Sequence, residues 1–244
     1  MALEDRLIFF PTKGGRVTGR GVDLELRAAD GVRLHARYIE RPGAEHTLLY
    51  FHGNAGNLPS RSDLLELLAR TGANVLALEY RGYGQSEGAP SEAGIYLDAR
   101  AAYDWAVARA PAHSLYVLGE SLGGGPACEL AATREVAGLI LISAFTNIPD
   151  MAALSFPWLP VRLMVRTRFD NLSKIARARA PVMVVHGRKD EIVPFEMGQR
   201  LFARAAEPKR SLWLEHAHHN DIFYAEGARV VDEVREFMHA QVPR

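Results

Sequence analysis

The sequence predicts an α/β fold in which a doubly wound, mostly parallel sheet is covered by helices on both faces. Short β-rich runs alternate along the chain with longer segments whose apolar residues recur at helical spacing. Most of these short runs are continuously apolar, as expected for strands that meet helices on both sides. A length of 244 residues is compatible with one such sheet, so we expect a single domain over residues 1–244.

The predicted elements follow one another in a regular alternation. Short apolar runs predict strands over residues 48–51, 74–80, 114–118, 138–144, 182–186 and 211–215. Helical spacing predicts helices over residues 64–70, 91–109, 122–132, 195–205 and 226–241. Residues 22–28 and 32–40 flank Asp30-Gly31, a hairpin signal. An antiparallel N-terminal edge should therefore precede the parallel part.

The connection over residues 145–180 is unusually long and contains no clear strand. Pro149, Pro157 and Pro160 interrupt apolar, helix-like pieces. We interpret this segment as a short helical lid. Its apolar side chains would supply one wall of a substrate pocket, and the candidates are Phe145, Met151, Phe156 and Trp158.

Composition excludes several classes of function. The 29 basic and 29 acidic side chains cancel, which does not favour binding to nucleic acid or to an anionic membrane. The only cysteine is Cys128, so no intramolecular disulfide is possible. No apolar run resembles a secretion signal or a membrane span. We therefore expect a cytoplasmic protein without a membrane span, whose oligomeric state the sequence does not indicate.

The pattern Gly-x-Ser-x-Gly, typical of a nucleophilic serine on a strand-to-helix turn, occurs twice. Ser121 follows the predicted strand 114–118 directly, and the small residues after it open a helix. Ser86 lies beyond its strand, and Pro90 follows before a helix can begin. Context therefore selects Ser121 as the candidate nucleophile.

A serine nucleophile needs a base, and the base needs an acid that orients it. In a doubly wound sheet, catalytic groups gather at the carboxyl ends of strands. Asp190 follows the predicted strand 182–186 and is the candidate acid. Its neighbour Glu191 is less suited, because we expect it to face the apolar turn formed by Ile192 and Val193.

The histidine-rich loop after the predicted strand 211–215 should supply the base. Spacing alone leaves His216, His218 and His219 as candidates. A rival interpretation combines these histidines with Asp221 in a zinc site. We prefer the serine chemistry, because it already explains one histidine at this place and requires no metal or other cofactor.

The loop after the predicted strand 48–51 should complete the site. Its small residues, from His52 to Asn57, are typical of loops that present backbone N–H groups to a carbonyl oxygen. We expect the backbone N–H groups of Asn54 and Leu122 to form an oxyanion hole.

In this order, the motifs resemble the α/β-hydrolase superfamily over almost the whole chain. Motifs at 9–11, 52–57, 80–88, 119–123 and 219–221 are similar to those of bacterial esterase-like hydrolases and the eukaryotic ABHD depalmitoylases. The last motif usually reads Gly-His-Asn-Asp in that group. The resemblance therefore implies that His219 is the base, although positions 216 and 218, usually glycine there, are histidine here.

The resemblance implies an α/β-hydrolase fold and a catalytic triad of Ser121, Asp190 and His219. The expected reaction is hydrolysis of small-molecule carboxylic esters, or of thioesters, with small to medium acyl chains. A serine peptidase or amidase on the same fold is an alternative. A ligand receptor with a vestigial triad is a third, non-enzymatic alternative.

Overall fold

A computed structural model describes residues 3–240, and an eight-stranded sheet forms its centre. The strands are β1 (Val22–Arg27), β2 (Arg33–Ile39), β3 (Thr47–Phe51), β4 (Asn74–Leu78), β5 (Leu115–Glu120), β6 (Gly138–Ile142), β7 (Val182–Gly187) and β8 (Lys209–Leu214). Each predicted strand is present, and its ends lie within two residues of the expected ones.

Helices connect these strands and cover both faces of the sheet. They are α1 (Leu3–Ile8), α2 (Ser62–Leu68), α3 (Glu92–Val107), α4 (Gly124–Thr133), α5 (Ile148–Ser155), α6 (Val161–Met164), α7 (Asn171–Ile175), α8 (Phe195–Arg204), α9 (Ile222–Ala225) and α10 (Gly227–His239). The five predicted helices correspond to α2, α3, α4, α8 and α10. Residue 241, the predicted end of α10, lies outside the described residues.

The strand order β1-β2-β4-β3-β5-β6-β7-β8 confirms the predicted fold class. Strand β2 pairs antiparallel with both β1 and β4, whereas the pairs from β4 to β8 are parallel. The chain reverses its direction of progress across the sheet between the neighbours β3 and β5. In open α/β sheets, ligands bind outside the carboxyl ends of strands at such a reversal.

The sheet has an apolar cluster on each face, and alternate residues of a strand contribute to opposite clusters. Leu49 and Phe51 of β3 pack on the side of α3 and α4, while Leu48 and Tyr50 pack on the side of α2 and α10. This two-sided burial explains why the parallel strands are continuously apolar in the sequence.

Cys128 lies in α4 and is fully buried. Burial raises the pKa of its thiol to about 12, although Lys174 nearby acts in the opposite direction. Its side chain packs as a small apolar residue in the cluster between α4 and the sheet.

Two further features of the fold are the short N-terminal helix α1 and the helices of the long connection after β6. Helix α1 was not predicted, because residues 3–8 are too short for an amphipathic period to be recognised. The segment 145–180 contains α5, α6 and α7 and no strand. Within residues 3–240, no helix combines the length and the apolar character needed to cross a bilayer.

Candidate active site

Ser121 lies at the sharp turn between β5 and α4. Its φ angle of +50° is in the left-handed region, which residues other than glycine rarely adopt. Such strain persists where the surrounding structure imposes it, and it is frequent at functional sites. The turn projects Ser121 beyond the carboxyl end of β5, at the reversal point of the sheet.

The two glycines that flank Ser121 in the motif are required by close backbone packing. A Cβ atom on Gly119 would lie 2.3 Å from the carbonyl oxygen of Gly123. A Cβ atom on Gly123 would lie 2.0 Å from the carbonyl oxygen of Phe51 in β3. Neither contact is relieved by rotating a side chain, so the tight turn explains both glycines of the pattern.

The structure brings His219 and Asp190 to Ser121 from two other loops. His219 Nε2 lies 3.1 Å from Ser121 Oγ. On the other side of the ring, His219 Nδ1 lies 2.8 Å from Asp190 Oδ2 and 3.0 Å from Oδ1. A carboxylate only accepts hydrogen bonds, so Nδ1–H donates to Asp190 and Nε2 is left to accept from the serine hydroxyl.

Asp190 is held by more donors than His219 alone. Its Oδ1 accepts from the backbone N–H groups of Ile192 and Val193, at 3.0 and 2.7 Å. The buried His186, at the end of β7, places Nε2 3.3 Å from Asp190 Oδ2. Burial alone would raise the pKa of Asp190, but the hydrogen bonds from His186, His219 and Val193 and the charge of His219 lower it well below its usual value. Asp190 is therefore ionised at neutral pH.

The loop after β3 lies against the nucleophile turn, because Phe51 pairs with Gly119 in the sheet. A Cβ atom on Gly53 would be only 3.6 Å from Ser121 Cβ. The Asn54 side chain is fully engaged: Oδ1 accepts from Phe10 N–H and Tyr83 O–H, and Nδ2 donates to the Ile8 carbonyl. Among residues 3–240, no acceptor contacts the backbone N–H of Asn54 or of Leu122. Both N–H groups remain available to a ligand.

The Arg61 side chain holds the loop after β3 in place through hydrogen bonds. The sequence did not predict a functional role for this residue. Its guanidinium donates to the carbonyl oxygens of Ala55, Asn57 and Gly53, at 2.7, 3.0 and 3.3 Å. Only 13% of its side chain is exposed. Because three of its carbonyl groups accept hydrogen bonds from one side chain, this loop has little freedom to move the backbone N–H of Asn54.

Glu120 connects Arg61, and with it the loop after β3, to the turn at Ser121. Its carboxylate lies 3.9 Å from Arg61 Nε and accepts a short hydrogen bond from the Tyr50 hydroxyl. Burial and the Glu120 charge raise the pKa of Tyr50 well above its usual value, so the hydroxyl stays protonated and donates. Because Glu120 precedes Ser121, Arg61 contacts both halves of the site.

The second copy of the serine motif has a different environment. Ser86 is buried, its hydroxyl donates to the Glu79 carbonyl at 2.7 Å, and it accepts from His35 N–H at 2.9 Å. These bonds connect the segment after β4 to β2. The hydroxyl thus both donates and accepts a hydrogen bond within the fold.

Glu191 does not face the apolar turn of Ile192 and Val193, and that expectation was wrong. It is exposed, and its carboxylate pairs with His218 Nδ1 at 3.0 Å. His216 is likewise exposed. Over the described residues, the loop histidines and Asp221 do not form a group with metal-ligand spacing.

The predicted pocket residues lie in different environments. Phe145 is buried at the end of β6, and Met151 is partly buried in α5. Phe156 and Trp158 are 48% and 74% exposed and contact each other edge to face. The first pair therefore packs in or against the apolar core, whereas the second pair lies on the surface of the segment 145–180.

The arrangement contains the parts needed for acyl transfer: a half-buried serine on a strained turn, an imidazole aligned with it, a buried carboxylate and two N–H groups without an acceptor in the described part of the chain. Sequence reasoning did not identify Arg61, Glu120, Tyr50 or His186. For His186 there was one signal, since it lies four residues before Asp190 on the same predicted strand end. The other three have no motif of their own.

Comparison with known proteins shows what the sequence of this chain resembles. The family model for the alpha/beta hydrolase fold matches residues 46–171, about half of the chain. An uncharacterized protein of Mycobacterium tuberculosis is 38% identical over 96% of this chain and 87% of its own length. The human alpha/beta hydrolase domain-containing protein 17B is 35% identical over 80% of this chain and 68% of its own length. These matches confirm the resemblance to ABHD proteins.

Solved structures agree on the fold. An esterase of Pyrococcus furiosus superimposes with a TM-score of 0.77, at 23% identity over 94% of this chain and 98% of the esterase. An esterase of Exiguobacterium antarcticum gives a TM-score of 0.70, at 18% identity over 90% of this chain and 100% of the esterase. At these identities the likeness concerns the fold.

Proposed function

The chain belongs to the α/β-hydrolase family, and from this premise we propose that it is a serine hydrolase that cleaves small-molecule carboxylic esters. One observation carries the proposal. Ser121 Oγ lies 3.1 Å from His219 Nε2, while Nδ1 of the same ring donates to the ionised Asp190. This is the arrangement that a general base needs to activate a hydroxyl.

In the proposed mechanism, His219 takes the proton of Ser121 as Oγ attacks the acyl carbon of the ester. Asp190 keeps the ring oriented and stabilises the imidazolium that forms. The imidazolium then gives its proton to the departing alcohol, which leaves an acyl-enzyme. Water attacks the acyl-enzyme with His219 as base again, and the carboxylic acid and free Ser121 are released.

The negative charge that develops on the carbonyl oxygen needs donors that are already in place. We assign this role to the backbone N–H groups of Asn54 and Leu122, which have no acceptor among the described residues. The short turn over Ser121–Gly123 and the start of α4 add the positive end of a helix dipole at the same place.

Arg61 acts in this proposal as a positioning residue for the Asn54 loop. Replacing it with methionine keeps the length of the side chain but removes all three contacts to loop carbonyls. We expect kcat to fall about 10- to 100-fold, since a misplaced oxyanion donor affects the transition state. We expect KM to change less than about threefold. Steady-state kinetics with a p-nitrophenyl ester measures both.

Two variants control this result. Arg235→Met removes an exposed arginine of α10 that pairs with Asp232, and it should leave kcat unchanged. Arg61→Lys retains the charge near Glu120 but cannot span three carbonyl oxygens, so its kcat should lie between those of wild type and Arg61→Met. A folded Arg61→Met enzyme with wild-type kcat would remove Arg61 from the mechanism.

The segment 145–180 is our proposed lid, and its apolar side chains are the proposed acyl contact. The exposed Phe156 and Trp158 would cover a bound acyl chain, with Met151 and Phe145 below them. A short lid favours small to medium chains. For p-nitrophenyl esters, kcat/KM should therefore be highest for acyl chains of about two to eight carbons and should decline for longer chains.

The chain-length series also tests the reaction class. It should be measured beside acyl thioesters of the same chains and aminoacyl nitroanilides. Esters should be cleaved fastest, and a fluorophosphonate probe should label the protein at Ser121. Faster turnover of the nitroanilides would assign the site to amide hydrolysis instead. Absence of both turnover and labelling would leave only a binding role for the fold.

A further inference from the structure

A second cluster of chemically competent side chains lies away from Ser121. Glu45, His46 and His239 each direct one possible ligand atom into a common space, and these three atoms all lie within 4.8 Å of one another. Among residues 3–240, no other three histidine, cysteine or acidic side chains lie close enough together to share a metal ion. We propose that Glu45, His46 and His239 bind a divalent transition metal ion of the zinc class.

The ligand set indicates the kind of metal. Two imidazoles and one carboxylate suit Zn²⁺, whereas Mg²⁺ and Ca²⁺ prefer oxygen ligands alone. A metal about 2.1 Å from each ligand would bring the ligand atoms to roughly 3.4 Å from one another. The ligand atoms, which lie within 4.8 Å of one another, therefore have to approach by at most about 1.4 Å. Glu45 and His239 are exposed, and rotation of their side chains can supply this movement.

Both histidines are attached to rigid parts of the fold. His46 immediately precedes β3, and its carbonyl accepts from Asn74 N–H at 2.9 Å. His239 ends α10, where the preceding carbonyl, that of Met238, accepts from the Tyr116 hydroxyl at 2.8 Å. The His46 and His239 rings lie 5.3 Å apart between centroids, and the Tyr116 ring supports His46 edge to face. A site built on such elements keeps its ligands close without the metal.

His46 also has an unsatisfied ring nitrogen. Its Nδ1 is buried and has no hydrogen-bond partner among the described residues, which is costly unless another partner is supplied.

The surroundings leave room for the ion and its water ligands. The cluster lines a groove of about 1410 Å³, to which His113 and Tyr116 also contribute. His46 precedes the amino end of β3, whereas Ser121 follows the carboxyl end of the parallel neighbour β5. The metal would thus lie at the opposite end of the sheet from Ser121. Its role would be to cross-link β3 to the end of α10.

The test is zinc binding by the untagged full-length protein, measured by competition with a chromogenic chelator and by thermal unfolding. We expect one Zn²⁺ per chain and an increase in Tm of about 5–10 °C when free zinc is one hundred times Kd. Mg²⁺ at the same concentration should leave Tm unchanged. Because Glu45 and His239 are exposed, Glu45→Gln and His239→Ala should fold and should each weaken zinc binding at least about tenfold.

Two further variants identify the site. His113→Ala removes a histidine of the same groove that lies outside the cluster, and it should bind zinc as wild type does. The double variant His216→Ala/His218→Ala should likewise retain binding. Loss of binding in that double variant, with retention in His239→Ala, would assign the zinc to the histidine loop and overturn the proposal. Absence of zinc binding by wild type would also overturn it. Ser121→Ala should retain the site, which separates this test from that of the hydrolase activity.

Discussion

Replacing Ser121 by alanine is expected to lower kcat/KM for a p-nitrophenyl ester by at least about 10,000-fold. The substitution removes the proposed nucleophile, while the proposed oxyanion N–H groups and acyl contacts remain. The small Cβ of alanine is already present in serine, so the strained turn at φ +50° is kept. Activity should therefore fall without a comparable loss of folding stability, as urea unfolding can verify.

Ser86→Ala is the matched control, because Ser86 occupies the same five-residue pattern. We expect its kcat/KM to stay within about threefold of wild type. Its stability should fall by about 1–3 kcal/mol, since Glu79 O and His35 N–H lose a buried partner. The opposite result, an inactive Ser86→Ala and an active Ser121→Ala, would transfer the nucleophile to the other motif.

Replacing Asp190 by asparagine is expected to lower kcat by about 10,000-fold. Asparagine keeps the shape of the side chain, but its amide group allows the His219 ring to adopt the tautomer that cannot accept the serine proton. The neighbouring acid supplies the control. Glu191→Gln changes an exposed residue that contacts His218, and kcat should remain within about twofold. If both variants lost the same factor in kcat, Asp190 could no longer be preferred to Glu191 as the acid that orients His219.

The same variant has a pH-dependent effect on stability. The folded-state pKa of Asp190 lies below its ordinary value, so the ionised carboxylate stabilises the fold fully above about pH 4, its ordinary pKa. This contribution is lost as the pH falls toward the folded-state pKa. The difference in unfolding free energy between wild type and Asp190→Asn should therefore be largest near neutral pH and should shrink below pH 4. If the difference in unfolding free energy instead grew as the pH fell, the fold would not favour the ionised form of Asp190.

The local and periodic features of this molecule could be predicted from its sequence. The strands β3 to β7 are mostly runs of apolar residues because both faces are covered, and that pattern is visible in the sequence alone. Ser121 and Asp190 follow strands directly, so their common edge of the sheet could be inferred. The strand order could not, because nothing local in β4 indicates that it lies between β2 and β3.

The features that the sequence did not reveal are contacts between distant parts of the chain. Arg61 belongs to a loop with no motif, and its role depends on the approach of Gly53 and Glu120. Spacing did not separate His219 from His216 and His218, since the choice depends on which ring reaches Ser121. Nothing in the sequence pairs His239 with His46, because most of the chain separates the two rings that meet in the structure.

The burial of Cys128 has a practical consequence for experiments on the proposed lid. With a thiol pKa of about 12, almost none of the cysteine is thiolate at neutral pH, and the side chain is shielded by α4 and the sheet. The folded wild-type chain thus behaves as a cysteine-free protein toward maleimides. A single cysteine introduced at the exposed position of Trp158 can carry one fluorophore and report, in real time, on movement of this segment during turnover.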